Sequence, residues 1–495
     1  MDRRDFLAGA GAIGLAGAMA PVAWGASSRV RDENAKPGTT DWLLTNTRVE
    51  ANKIRCPWIE GFCSRTSASA GEKIEIKVST NPASKFTLDI YRLGYYGGKG
   101  GRLMERLGPF PGSPQPDPPV GEIRVRECVW ETAHTLTIPA DWPSGVYLGK
   151  LTEQKEEIES YIVFIVRDDR ECDFLFQCSD TTWAAYNRWP DVWSLYDDGT
   201  PPHNWYTGPE VSVSFDRPYG RYRQIFDAPL SQGSGEFLLW EFPLAFWMEQ
   251  HGYDVSYISN IDTHANPARL LKAKAFLSVA HDEYWSLAMY DHVKRAIDGG
   301  VNAAFFAGNS VDGVLDIRAG QNGAANRVIE RVGKFGGPTS ERERSFAKPW
   351  KYHGPDPAAL MGAQTTSPAN GTADWTCTSE KHWLFAGTGM KNGDSIKGLV
   401  GWEHHGPPLA EVPGLEVLAR GAVSSRGKPQ NTEYTATIYP GPKKNVVFNA
   451  ATIWWSDGLS EPPGYLRPSA HGGTPPGPDA RVQQITKNLF ERFLA

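Results

Sequence analysis

Residues 272–286 read KAKAFLSVAHDEYWS. The apolar run Ala275–Ala280 stops abruptly at His281, Asp282, Glu283 and Tyr284. A helical pattern follows at once, with Trp285, Met289, Val293 and Ile297 on one face and Gly299-Gly300 closing it. The stretch predicts a buried strand, a polar turn and an amphipathic helix. Four side chains able to bind metal or move protons then stand at the carboxyl end of a strand, where open α/β sheets place their sites. The plainer reading makes Asp282 the helix cap and leaves His281 and Glu283 solvated. One cap does not need four polar, ionisable neighbours.

Working outward, the same grammar repeats. CDFLFQCS predicts a first strand ending at Asp180, followed by a long aromatic loop (TTWAAYNRWPDVWSLYDDG). PLAFWMEQHG predicts a helix stopping at Gly252, and YDVSYIS a second strand ending near Asn260 and Asp262. KAFLSVA and VNAAFFAG are the third and fourth, the latter ending at Asn309. Alternating β and α elements with apolar strands predict a mainly parallel, doubly wound sheet. Asp180, Asp262, His281–Tyr284 and Asn309 then gather along one sheet edge.

Upstream the pattern differs. Between residues 61 and 167 the segments KIEIKVST, FTLDIYRL, EIRVRECVW, HTLTIPA, SGVYLGKL and SYIVFIV alternate, separated by Gly- and Pro-rich turns. Strands in succession without helices predict a β-sandwich of immunoglobulin-like architecture. Residues 27–60 read as a polar lead-in, and residues 168–495 as the α/β domain.

Residues 1–26 read as an export address. Arg3-Arg4 precedes a weakly hydrophobic Ala/Gly stretch, the pattern of a twin-arginine signal, which predicts a periplasmic or secreted protein. No later run is long and apolar enough to span a membrane. With 22% charged residues and a net charge of −6, the chain offers no electrostatic case for nucleic acid. The six cysteines match no zinc spacing. Cys172 and Cys178 lie about 20 Å apart on one predicted strand and cannot pair, so buried free thiols are expected there. No phosphate-binding glycine motif, G-x-S-x-G elbow or H-E-x-x-H occurs. Asn309 stands at the strand-end turn FFAGNS, where a nucleophile could have stood. Glu403, His404 and His405 are ligand types, but their Gly/Pro-flanked loop reads as solvated.

Taken in order, IEGFCSRTSASAGEKIEIKVST, YRLGYYGGKGGRL, WPSGVYLGKL, DTTWAAYNRW, VSFDRPY, GYDVSYIS, SVAHDEYWS, GVNAAFFAGN, HWLFAGTGM, LVGWE and VFNAATIWWSDGL resemble the family of the large (beta) subunit of N,N-dimethylformamidase, particularly its exported members. The resemblance implies a class I glutamine amidotransferase-like α/β domain without the cysteine nucleophile, in agreement with Asn309 at the elbow. It also implies mononuclear iron (Fe3+) held by two tyrosines and a glutamate. Tyr284 best matches one tyrosine and Glu341, in PTSERER, the glutamate. Phe242 stands where the second tyrosine is expected, which would alter the site and open it to another divalent metal. Hard anionic oxygen donors suit a ferric ion that polarises an amide carbonyl and activates water. His281, Asp282, Glu283, Asn309 and Asp180 are the candidates for the catalytic work. The resemblance thus implies hydrolysis of a small-molecule, non-peptide amide, with an oligomer or a small partner subunit left open. The alternative is a non-catalytic periplasmic binding or envelope-associated protein that holds glycans or other extended ligands through Trp183, Trp189, Trp193 and Trp205.

Overall fold

The computed structural model describes residues 28–206, 208–338 and 352–495. The chain is mixed α/β, rich in sheets and with few helices. The N-terminal strands form two sheets. One has three strands, Glu60–Cys63, Lys73–Ser79 and Thr132–Thr137; the other has five, ordered Ser67–Ala68, Glu159–Val166, Gly145–Glu153, Lys85–Leu93 and Gly101–Pro111. Alternation places Ile74, Ile76 and Val78 inward while Lys73 and Glu75 face solvent. These inward residues pack with Leu88, Ile90, Ile162 and Phe164 into one core.

Glu159–Val166 is buried at every position. Its Ile162 and Phe164 face that core, whereas Tyr161, Val163 and Ile165 belong to the larger core shared with the following region. A strand covered on both faces reads as an unbroken apolar run, and that is why SYIVFIV does not alternate. The lead-in is also packed down: Val30, Trp42 and Leu44 are buried, and the Trp42 indole donates to the Lys99 carbonyl at 3.0 Å. A buried ion pair joins the two regions, Arg92 Nη2 lying 2.8 Å from Glu249 Oε1.

The second region is built on a seven-stranded sheet. Val255–Ser259, Cys172–Cys178, Ala273–Ala280, Asn302–Ala307 and Val446–Asn449 run parallel in that order, extended by antiparallel Lys428–Pro440 and Glu416–Ser425. Phe276 and Phe305 face the helix Leu287–Asp298 through Met289, Val293 and Ile297. On the other face, Phe174 and Phe306 meet Phe490 of the helix Ala480–Leu494, the Phe174 and Phe490 rings being 4.3 Å apart. Each such buried side chain contributes roughly 1.5–3 kcal/mol. From Cys172–Cys178 the chain moves to one side, then crosses back to lay Ala273–Ala280 on the other. That reversal opens a crevice beyond the carboxyl ends of these two strands.

The helix cap differs from the plainer reading. Ser286, not Asp282, caps Leu287–Asp298, its hydroxyl accepting from Met289 N at 3.1 Å. Tyr284–Ser286 does not enter the helix but pairs with Gly313–Arg318 in a second sheet that also holds Val328–Phe335. All six cysteines are free and buried. Among the described residues no helix is long and apolar enough to cross a membrane.

Candidate functional site

The crevice is shaped by two strand-end turns. Ala280, Asn309 and Val311 have φ values of +58°, +55° and +53°. For a β-branched residue such as Val311 that conformation is costly, on the order of 1–3 kcal/mol, and persists only where the surroundings enforce it. Backbone bonds between the turns do so: Asp312 N donates to Glu283 O at 3.0 Å and Gly308 N to Ala280 O at 3.3 Å. A Cβ on Gly308 would sit 2.4 Å from the Glu403 carbonyl oxygen, so only glycine lets the 401–405 segment seat against the turn.

Three side chains converge there. His281 Nε2 lies 3.3 Å from Glu283 Oε2 and 3.3 Å from Glu403 Oε2, and one ligand atom from each residue falls within 4.8 Å of the others. All three residues are buried. The imidazole sits between the rings of Tyr186 and Trp402, at 4.7 and 4.8 Å. Its Nδ1 faces Glu236 Oε2 at 3.5 Å, leaving Nε2 buried without a hydrogen-bond partner. Burial alone would push this imidazole down, but Glu236, Glu283 and Glu403 outweigh it and hold His281 well above its ordinary value. Three carboxylates around one ring require positive charge, either the imidazolium proton or a cation.

The carboxylates are held in place. Glu283 accepts from Tyr186 at 2.6 Å and Tyr196 at 2.9 Å. Glu403 accepts from Asn309 Nδ2 at 3.1 Å and Asn370 Nδ2 at 2.9 Å. Burial raises the Glu403 carboxyl above its usual range; at Glu283 burial is opposed by His281 and the tyrosines, and the carboxyl is lowered.

The remaining predicted residues divide. Asn309 reaches the cluster through Glu403. Tyr284 stands beside it: its hydroxyl bonds to that of Tyr196 at 2.5 Å and accepts from Arg331 Nη1 at 3.1 Å. Asp282 lies beneath, accepting from Gln177, Asn260 and Ser278 at 2.7–2.9 Å, so both oxygens serve the scaffold. Asp180 faces a different crevice, lined by Phe62, Thr66 and Arg327, with its carboxyl pushed up to about 7 by burial and Asp262. Asp262 is bound into the cap of Asn260–Ala265. Phe242 packs among Trp42, Phe237 and Phe246. Glu341 and the Arg3-Arg4 signal lie outside the described residues.

His404 and His405 are buried, not solvated as expected. His405 is a strut, its Nε2 accepting from Ser310 N at 2.8 Å and its Nδ1 facing Asn449 Oδ1 at 3.0 Å; burial pushes it down to about 4. Glu236, Tyr186, Tyr196 and Asn370 carried no signal in the sequence, because their roles arise from loops converging on one point. Of the loop tryptophans, Trp183 and Trp189 are core; Trp193 lies under Arg124 and Arg126, and Trp205 alone is 51% exposed.

The profile of the family described as N,N-dimethylformamidase beta subunit-like, C-terminal, matches residues 87–469. No curated protein matches the chain. Among solved structures, a Parabacteroides merdae beta-glucuronidase with glycerol in its active site is 8% identical, with TM-score 0.16, over 50% of this chain and 34% of that one. A Bacteroides uniformis beta-glucuronidase 2 is 7% identical, with TM-score 0.14, over 51% and 28%. A family 123 glycoside hydrolase from Clostridium perfringens is 11% identical, with TM-score 0.10, over 57% and 49%. The chain thus spans about a third or less of the two glucuronidases, and likenesses this weak carry no structural argument.

Proposed function

We propose that this chain, which belongs to the N,N-dimethylformamidase beta subunit-like family, hydrolyses a non-peptide C–N amide bond at the His281–Glu283–Glu403 cluster. The observation that carries the reading is the convergence of these three donors, two of which, Glu283 and Glu403, line a cavity of about 590 Å³. The donor set fits a metal ion. Nε2 of His281 is buried, makes no hydrogen bond and points between the Glu283 and Glu403 carboxylates, while Nδ1 faces a third carboxylate, the arrangement typical of a metal-binding histidine. One imidazole and two carboxylates suit iron or another divalent metal. Tyr284, engaged by Tyr196 and Arg331, is assigned a supporting place instead. When bound, the ion polarises the carbonyl and lowers the pKa of a water.

The residues of the chain do the rest. Tyr186 and Tyr196 fix Glu283, and Asn309 and Asn370 fix Glu403. Trp402 and Tyr186 hold the imidazole and keep bulk water from it. Burial raises the Glu403 carboxyl above its usual range, and Asn309 and Asn370 hold it in register beside His281. Water adds its oxygen to the carbonyl carbon, the C–N bond breaks with its electron pair going to nitrogen, and the proton that water gives up passes to that nitrogen, leaving the acid and the amine.

We further read the N-terminal sheets as an immunoglobulin-like sandwich and the parallel sheet as amidotransferase-like. Two stacked β sheets and a central parallel sheet with its switch point support this. Export through Arg3-Arg4 remains part of the proposal, as does assembly with itself or a small subunit. Elemental analysis of natively matured protein should find about one transition metal per chain, lost in His281→Ala and Glu403→Gln, with amine release from small amides lost in parallel. Metal retained in both variants, or no amide cleaved by the metal-loaded protein, would overturn the reading.

A further inference from the structure

We infer that the amide taken by this site is secondary and is carried on a sugar ring, that is, an N-acylated amino sugar. The inference rests on the amidase reading above and names its substrate class. Four features of the cavity point the same way.

Its volume, about 590 Å³, lies in the range of pockets that enclose drug-sized ligands and far exceeds what a dialkyl formamide fills. Trp205 lines it with a half-exposed indole. One face of that indole stacks on Tyr196 at 3.8 Å and 18°, which leaves the opposite face for a ligand. Tyr196 in turn donates to Glu283, so the aromatic platform is built directly onto the reactive cluster. A π face carries negative charge and attracts the polarised C–H groups on the face of a sugar ring.

The lining also includes neutral hydrogen-bonding groups, among them Gln224, Thr365, Thr366 and Asn370. The buried Thr365 hydroxyl has no hydrogen-bond partner. Such groups suit hydroxyls. Lys334 lies 3.3 Å from Asp312, and Arg331 donates to Tyr284 and to the Leu195 and Gly208 carbonyls, so the cavity is not organised for an anionic substrate.

Asn309 then selects the amide. Its Nδ2 donates to the Glu403 carboxylate, which fixes the orientation of the side chain. Its Oδ1 is left buried in the cavity wall with no hydrogen-bond partner. A buried acceptor needs a donor. A secondary amide brings one N–H; N,N-dimethylformamide brings none.

The test uses the metal-loaded full chain. Calorimetric titration with N,N′-diacetylchitobiose should show binding, with cellobiose, the same ring pair without amides, at least tenfold weaker. Trp205→Ala should weaken binding tenfold or more, and Trp205→Phe, which keeps a ring, less than threefold. In parallel, kcat/KM for N-methylacetamide should exceed that for N,N-dimethylacetamide at least tenfold. If small amides are cleaved but the disaccharide does not bind, or binds equally in Trp205→Ala, the sugar assignment is overturned and the amidase reading stands. Equal or better turnover of the dimethyl amide overturns the role of Asn309. Disaccharide binding without cleavage of any amide overturns the amidase reading and leaves a sugar-binding site.

Discussion

Arg92 and Glu249 offer a quantitative test of how the β region is fastened to the α/β region. The Glu249 carboxylate accepts from Arg92 Nη1 and Nη2 at 2.9 and 2.8 Å, from Asn34 Nδ2 at 2.8 Å and from the Tyr257 hydroxyl at 3.0 Å. The two ionic side chains are 1% and 0% exposed. Glu249→Gln keeps the shape but leaves the guanidinium buried without its counter-charge. Breaking such a pair costs about 3–5 kcal/mol, because the surviving charge retains its desolvation penalty and loses its partner. Arg92→Met should cost a similar amount by orphaning the carboxylate. The double variant removes both charges and should be more stable than the sum of the two losses predicts, with a coupling of at least about 2 kcal/mol. Urea unfolding followed by tryptophan fluorescence measures all four proteins. Single losses below about 1 kcal/mol, or strictly additive ones, would refute the view that this pair is a coupled, fully desolvated clamp.

Other outcomes follow from the site and its surroundings. Tyr284→Phe should leave the metal content unchanged while costing about 1–3 kcal/mol, because the buried Arg331 loses an acceptor; metal lost from this variant would return Tyr284 to the ligand set. Gly308→Ala should displace the 401–405 segment and lower metal content, and a variant with full metal and activity would show that the 2.4 Å approach is not required. Asp457 is pushed up to about 7, chiefly by burial, from an ordinary value of 3.8. Between those pH values the folded state keeps a proton that the unfolded chain releases, so this group costs stability as pH rises through the window, by about 4 kcal/mol at its upper end. Asp457→Asn removes that slope, so its stability relative to wild type should improve from pH 5 to pH 8; a difference that does not change with pH would refute the assignment. Lysine at both Arg3 and Arg4 should abolish periplasmic accumulation, and undiminished export in fractionated cells would end the twin-arginine reading.

Much of the frame was legible because strands announce themselves by local chemistry. The apolar runs at 172–178, 255–259, 273–280 and 302–307 each needed burial on both faces, and that demand alone implies a covered parallel sheet. The turn His281–Tyr284 was legible for the same reason: polar residues that end a buried strand must emerge at the sheet edge. Which of them would act was not legible. Asp282 and Glu283 are neighbours with the same charge, yet the turn between two strands sets Asp282 onto Gln177, Asn260 and Ser278 and Glu283 toward His281.

The sequence by itself determined the order of elements, the strand ends that carry polar groups and the family to which the chain belongs, because these depend on patterns a few residues long. Only the tertiary structure decided the cluster. Glu236, Glu283 and Glu403 are far apart in the chain, and a loop flanked by glycine and proline gave no local sign that Glu403 and both histidines would be buried. Glu403 meets His281 because the strand Asn302–Ala307 lies beside Ala273–Ala280, and Gly308 lets a third segment close over the pair. Burial then supplies what no local pattern encodes, an imidazole pressed among carboxylates in a place that water cannot screen.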